Sequence, residues 1–78
     1  MKEKFLDAFK EALEIEEDNV EMNDVMSDFD TWDSMSRLSL IALLDEYFEI
    51  EISDDEFENM TTVQDLYDKV QTKVQADG

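Results

Sequence analysis

The run from Ser34 to Phe48 dictates most of the architecture that this chain can adopt. Apolar residues recur through it at the spacing of an α-helix, and they spread over more than one stripe of that helix. We therefore expect a central helix that neighbouring elements cover on more than one side. Its apolar residues are Met35, Leu38, Leu40, Ile41, Leu43, Leu44, Tyr47 and Phe48.

Three further helices are predicted around this central one. The first covers residues 2–16, because its apolar residues fall on one face. A capping-box pattern starts a short third helix over residues 53–60, and Thr61 and Gln64 fit a second box that starts the last helix. The predicted fold is all-α: a single domain, residues 1–78, in which four helices form a small bundle with a long first loop. The residues expected to point inward from the first and last helices are Phe5, Leu6, Phe9, Leu13, Ile15, Val63, Leu66, Tyr67, Val70 and Val74.

A long acidic loop is predicted between the first two helices. Residues 14–33 carry nine carboxylates and no basic residue, with apolar residues spaced between them. We expect those apolar side chains to fold onto the core, with Trp32 covering an end of the bundle rather than contacting a ligand. A calcium site of the EF-hand type is not expected, because that pattern needs a central glycine and the loop has none.

The composition argues against several classes of protein. The chain has 23 acidic and 6 basic residues, a formal net charge of −17, no histidine and no cysteine. So few basic residues make nucleic acid an unsuitable partner, whereas a basic protein surface is a natural one. Without histidine and cysteine, neither a Ser-His-Asp triad, an ordinary zinc site nor a disulfide can form. We see no signal peptide and no apolar stretch of membrane-spanning length, so we expect a cytoplasmic protein without membrane insertion.

The tripeptide Asp33-Ser34-Met35 marks the start of the central helix, where a phosphate-linked group can be attached to a serine and held. Residues 28–35 and the helix that follows resemble the acyl carrier proteins. Residues 49–56 and 60–65 are similar to the third-helix region of that family, so the resemblance covers essentially the whole chain. The matching residues of the central helix are Leu38, Ile41, Leu44, Asp45, Glu46 and Phe48.

The resemblance implies a specific chemistry at Ser34. This residue would carry a 4′-phosphopantetheine arm through a phosphodiester, taken from coenzyme A by a separate magnesium-dependent phosphopantetheinyl transferase. Asp33 would help the transferase to hold its metal ion. The arm would end in a thiol that carries an acyl or aminoacyl group as a thioester, and the chain would be a carrier and not an enzyme.

The resemblance also implies partner-binding and cargo-binding residues. The partners would be the transferase and the acyl-loading and acyl-consuming enzymes, with basic docking surfaces, and the carrier is expected to be a monomer. The partner-binding candidates are Met35, Arg37, Asp45, Glu46, Glu49, Asp54 and Asp55. The acyl-pocket candidates, all of which we expect to belong to the core first, are Leu38, Ile41, Leu44, Phe57, Met60 and Leu66.

Some residues depart from the pattern of primary fatty acid synthesis. Ser36, Arg37 and Ser39 stand where such carriers are usually acidic, and Trp32 replaces a small or aliphatic residue. The Trp-Asp-Ser form is more similar to carriers of side pathways, including D-alanyl carriers, so fatty acid, lipid and specialised biosynthesis all stay open. Arg37 either neutralises the acidic surface or selects a partner.

Two alternatives to an acyl carrier remain at this point. The first is an aminoacyl carrier of the D-alanyl or peptidyl type. The second belongs to a different class: an acidic helical adaptor without a prosthetic group, in which Ser34 is only a helix cap.

Overall fold

The structure, a computed structural model, describes residues 2–16 and 20–77. Its α-helices are α1 (Lys2–Ala12), α2 (Ser34–Phe48) and α3 (Val63–Asp77), with a first 3₁₀ helix at Met26–Asp28 and a second at Asp54–Asn59. The predicted all-α bundle of four helices with a long first loop is confirmed, and its short third helix is the second 3₁₀ helix. In the described part of the chain, no helix is both long and apolar enough to span a membrane.

Helix α1 ends at Ala12, four residues before the predicted end. Glu14 adopts a left-handed conformation with φ of 56°. The N–H of Ile15 donates to the carbonyl of Lys10 at 2.8 Å, and the N–H of Glu14 donates to the carbonyl of Glu11 at 3.3 Å, which is the Schellman pattern of a helix end. The apolar pattern misled the prediction because side chains beyond the helix end, at positions 13 and 15, still pack on the core.

The core joins the three α-helices to the long loop. The rings of Phe5 and Tyr67 lie 5.1 Å apart between their centroids, and the edge of one ring in the Phe9–Phe29 pair meets the face of the other at 5.5 Å. Met26 of the loop is fully buried, so the predicted folding of the loop's apolar residues onto the core is confirmed. The buried apolar residues are Phe5, Ala8, Phe9, Ala12, Leu13, Met26, Leu40, Leu44, Ile50, Ile52, Phe57, Val63, Leu66 and Val70.

Helix α2 is less enclosed than its composition predicted. Leu40 and Leu44 are fully buried, but 72% of Met35 and 57% of Leu38 are exposed to solvent. The expectation that Leu38 belongs to the core is therefore wrong. The physical reason is that α1 and the second 3₁₀ helix, which contact α2, do not cover Met35 and Leu38 in its first two turns.

Backbone hydrogen bonds tie the long loop to the start of α3. Met26 donates to the carbonyl of Thr61 at 2.9 Å, and Val63 donates to the carbonyl of Asp24 at 2.9 Å, around an antiparallel bridge between Val25 and Thr62. These bonds hold the loop beside the end of the second 3₁₀ helix.

The cap of α3 lies one residue later than predicted. Thr62 and Asp65 form the reciprocal pair, because Thr62 N–H donates to Asp65 Oδ2 at 3.1 Å and Asp65 N–H donates to Thr62 Oγ1 at 3.2 Å. The carboxylate of Asp65 also accepts the N–H of Thr61 at 2.9 Å, which is the donor that Gln64 was expected to bind. The hydrogen bonds from the backbone N–H groups of Thr61 and Thr62 hold the pKa of Asp65 below its usual value.

Candidate functional site

Two serines at the start of α2 differ in their hydrogen bonds. Asp33 is the N-cap: its Oδ1 accepts the N–H of Ser36 at 2.8 Å, and its own N–H donates to Ser36 Oγ at 2.9 Å. Ser36 is buried by this capping box, whereas Ser34, the first residue of α2, is exposed. The Ser34 hydroxyl makes no hydrogen bond to any residue that the structure describes. The reading of Ser34 as the helix cap is therefore wrong, since Asp33 and Ser36 perform that task.

Arg37 of α2 contacts both the end of the long loop and the second 3₁₀ helix. Its Nε donates to Asp54 Oδ1 at 2.8 Å, and its guanidinium carbon lies 5.8 Å from the ring centre of Trp32. The edge of one ring in the Trp32–Phe57 pair meets the face of the other, with 5.7 Å between centroids. These contacts join the loop, α2 and the second 3₁₀ helix next to Ser34. Their only sequence signal is that Arg37 is the single basic residue between Lys10 and Lys69.

A cleft of about 330 Å³ opens between the loop, α2 and the second 3₁₀ helix. Two acyl-pocket candidates, Phe57 and Met60, line it. Of the others, Leu44 and Leu66 are buried in the core, Ile41 is half-buried and Leu38 is on the surface, so the structure does not bring the six together in this cleft. The complete lining is Met26, Ser27, Trp32, Arg37, Asp54, Phe57, Glu58, Met60 and Thr61.

The candidate docking residues lie on two surfaces. Met35, Asp45, Glu46 and Glu49 are exposed along α2, and Glu49 ends that helix in a left-handed conformation, with its N–H bound to the carbonyl of Asp45 at 2.8 Å. The pair Asp54 and Asp55 is exposed at the start of the second 3₁₀ helix. Arg37 differs from all of them because it is only 26% exposed and its charge is paired with Asp54.

The second 3₁₀ helix is anchored to α3 by Glu56. The Glu56 carboxylate accepts the backbone N–H of Ser53 at 2.8 Å, which confirms the predicted capping box at this helix. It also pairs with Lys73 at 3.3 Å and Lys69 at 3.6 Å. The hydrogen bond from Ser53 and the two ammonium groups hold the pKa of Glu56 below its usual value.

Comparison with known proteins identifies the family. The family model described as "phosphopantetheine attachment site" matches residues 3–70. The chain belongs to this family. The chain is also similar to curated acyl carrier proteins: 46% identical over 44 residues to that of Thermosynechococcus vestitus, and 49% identical over 41 residues to that of Buchnera aphidicola. Those matches cover 56% and 53% of this chain, and 54% and 51% of the two relatives, so the chain spans about half the length of the curated relatives it matches.

A solved structure has the same fold as this member of the phosphopantetheine attachment family. The solution NMR structure of the holo acyl carrier protein from Geobacter metallireducens superposes with a TM-score of 0.80. The superposition covers 96% of this chain and 86% of the other, at 24% sequence identity. The similarity at this identity establishes the fold.

Phosphopantetheine is the prosthetic group of this family, as the sequence predicted. The residues at the start of α2 fit such a group, because Ser34 is exposed and its Oγ has no hydrogen bond within the described part of the chain, while Asp33 and Ser36 cap the helix. Acyl carrier proteins are carriers and not enzymes, which agrees with the prediction that this chain is not an enzyme.

Proposed function

We propose that the chain is an acyl carrier, and that Ser34 Oγ is the attachment point of its 4′-phosphopantetheine arm. The arm's thiol holds an acyl group as a thioester and delivers it between partner enzymes. The observation that carries this proposal is the exposed hydroxyl of Ser34, the first residue of α2. It takes no part in capping the helix, because Asp33 and Ser36 form the capping box. An exposed hydroxyl at a capped helix start can reach the active site of a transferase without any unfolding of the carrier.

The attachment reaction replaces the phosphoanhydride bond of coenzyme A with a phosphodiester to Ser34, and the nucleotide portion leaves as a bisphosphate. Ser34 Oγ loses its proton and bonds to the phosphorus that bears the pantetheine of coenzyme A, while the bond from that phosphorus to the nucleotide portion breaks. The phosphopantetheinyl transferase and its magnesium ion supply the catalysis. Asp33 is exposed beside Ser34, and we assign to it the support of that metal ion.

The partners of the carrier follow from its surface. The exposed carboxylates Asp45, Glu46 and Glu49 on α2 suit enzymes with basic docking surfaces, including the transferase and the enzymes that load and consume the acyl group. Met35 adds an exposed apolar contact next to Ser34, and Asp55 extends the acidic surface. The proposal includes one carrier domain over residues 1–78, a monomer in the cytoplasm that neither binds nucleic acid nor inserts into a membrane.

The cleft supports a specialised cargo over a long fatty acyl chain. Phe57 and Met60 offer an apolar surface there, but Arg37, Asp54 and Glu58 place charged groups in the same lining. An alkyl chain gains nothing from such groups and hinders their hydration. The same lining also supports the alternative of an aminoacyl carrier, since a cargo with polar atoms can hydrogen-bond to it.

Intact-protein mass spectrometry tests the attachment. After incubation with coenzyme A, magnesium and a broad-specificity transferase, we expect the mass of one phosphopantetheinyl group to be added and to map to Ser34. Ser34→Ala should prevent the addition completely. Ser39→Ala is the matched control, because it removes another exposed hydroxyl from the same helix and should leave the addition unchanged.

The contrary result would change the class of the protein. If several transferases leave the folded protein unmodified, the carrier proposal fails. An acidic helical adaptor without a prosthetic group would then be the better interpretation, and Ser34→Ala would not affect it.

A further inference from the structure

Arg37 lies over the turn of α2 that begins with Ser34. It follows Ser34 by three residues, and residues at this spacing are neighbours on a helix surface, with about 5–6 Å between their Cβ atoms. Helical side chains lean toward the N-terminus of their helix. Arg37 does so, because its guanidinium reaches Trp32, which precedes the helix.

The partner that Arg37 has in this structure is a weak one. Asp54 accepts one hydrogen bond from Nε at 2.8 Å, and the Asp54 side chain is 52% exposed. Ion pairs at such exposed positions contribute little and are screened by salt. A phosphodiester can instead take two parallel hydrogen bonds from a guanidinium, which form a stronger charge-assisted contact.

We propose that Arg37 exchanges partners when Ser34 is modified, leaving Asp54 and binding the phosphodiester that joins the arm to Ser34 Oγ. This inference rests on the proposed function, because it requires an arm at Ser34. The phosphodiester introduces negative charge next to Asp33, and Arg37 is the cation placed to offset the resulting repulsion. Arg37 is then a positioning residue that holds the base of the arm against α2.

The exchange also changes the second 3₁₀ helix. Asp54 is the first residue of that helix, and its ion pair with Arg37 is one of the contacts that hold the helix to α2. Release of Asp54 loosens the wall of the cleft that carries Phe57 and Glu58, while the ring contact of Trp32 with Phe57 remains. Modification therefore fixes the arm and makes the cleft easier to open.

NMR spectroscopy can observe the exchange directly, because Arg37 is the only arginine and its Nε–Hε group gives a single resonance. We expect Asp54→Asn to shift this resonance in the unmodified protein and to leave it in place in the modified protein. In the modified protein, Arg37→Gln should shift the ³¹P resonance of the phosphodiester. Arg37→Lys should shift it less, because lysine keeps the charge but not the planar pair of donors.

Hydrogen exchange gives a second readout. Modification should make the amides of the second 3₁₀ helix exchange about two- to fivefold faster, the range expected for loss of one exposed ion pair. The same modification of the Arg37→Gln protein should leave these rates unchanged, because its ion pair is already absent.

Asp55→Asn is the matched control, because it removes one charge from the neighbouring position of the same 3₁₀ helix. It should leave the Arg37 resonance unchanged in both forms. An equal response to Asp54→Asn in both forms, or a ³¹P resonance indifferent to Arg37→Gln, would overturn the exchange and leave the carrier function intact. Absence of modification at Ser34, seen first by mass spectrometry, would overturn the proposed function and this inference with it.

Discussion

Two serine hydroxyls in the first turn of α2 differ because one carboxylate caps the helix. The Asp33 carboxylate accepts the backbone N–H of Ser36, and the backbone N–H of Asp33 donates to the Ser36 hydroxyl. Ser36 is buried by this capping box. Ser34 takes no part in the box and is exposed. At the scale of residues, the availability of the proposed attachment site therefore follows from local hydrogen bonding and needs no distant contact.

The left-handed residue after α1 lowers the stability of the folded protein. Glu14 has φ of 56°, a conformation that costs a residue with a Cβ atom about 1 kcal/mol or more relative to glycine. We expect Glu14→Gly to raise the free energy of unfolding by about 1 kcal/mol relative to Glu14→Ala, measured by urea denaturation. Glu14→Ala is the control, since it removes the same charge but keeps the Cβ atom. Equal stability of the two variants would contradict the left-handed conformation at this position.

At the scale of elements, the second 3₁₀ helix depends on charged contacts with both of its neighbours. Such a short helix is not stable by itself. Arg37 of α2 pairs with Asp54 at its start, while Lys69 and Lys73 of α3 pair with Glu56 in its middle. The wall of the cleft is thus held in part by charged contacts that weaken with salt, in addition to the apolar contacts of Phe57.

Acid should weaken this anchor through Glu56. The hydrogen bond from Ser53 and the neighbouring lysines hold the pKa of Glu56 below its ordinary value of 4.5, so the stabilisation is complete above that value and is lost as the pH falls below it. We expect the difference in unfolding free energy between the wild type and Glu56→Gln to shrink as the pH is lowered from 6 through about 4.5 toward 3. Urea denaturation at each pH measures it.

Glu58→Gln is the control for this prediction, because it makes the same chemical change at an exposed position of the same 3₁₀ helix. A difference for Glu56→Gln that stays constant over this pH range would contradict the role of its carboxylate as an ionised anchor.

At the scale of the whole molecule, the net charge of −17 opposes folding. Like charges repel one another more strongly when the chain is folded than when it is extended, and dissolved ions screen that repulsion. The same charge favours encounter with basic protein surfaces, so the property that supports the proposed docking also lowers the stability of the protein.

Salt should therefore stabilise the protein. We expect Tm to rise as sodium chloride is increased from about 0.01 M to about 0.15 M, a change that shortens the Debye length from about 30 Å to about 8 Å. Millimolar magnesium should have the same effect. The increase should vanish near pH 4.1, the isoelectric point, where the net charge is small. A Tm independent of salt at neutral pH would contradict the idea.

The sequence by itself determined the helices, the excluded chemistries and the candidate attachment serine. Helical periodicity of apolar residues is a local signal, and it predicted α2 with its bounds as observed. The absence of histidine and cysteine rules out whole classes of site without any structure. The pattern around Ser34 implied the phosphopantetheine family that the comparison confirmed.

Only the tertiary structure decided which surfaces these elements present. It ended α1 before the apolar pattern ends, left Leu38 exposed, and brought Arg37 to Asp54 across 17 positions of the chain. It also divided the six acyl-pocket candidates between the cleft, the core and the surface. These outcomes depend on which elements pack against one another, and packing is set by contacts between distant residues that no local pattern encodes.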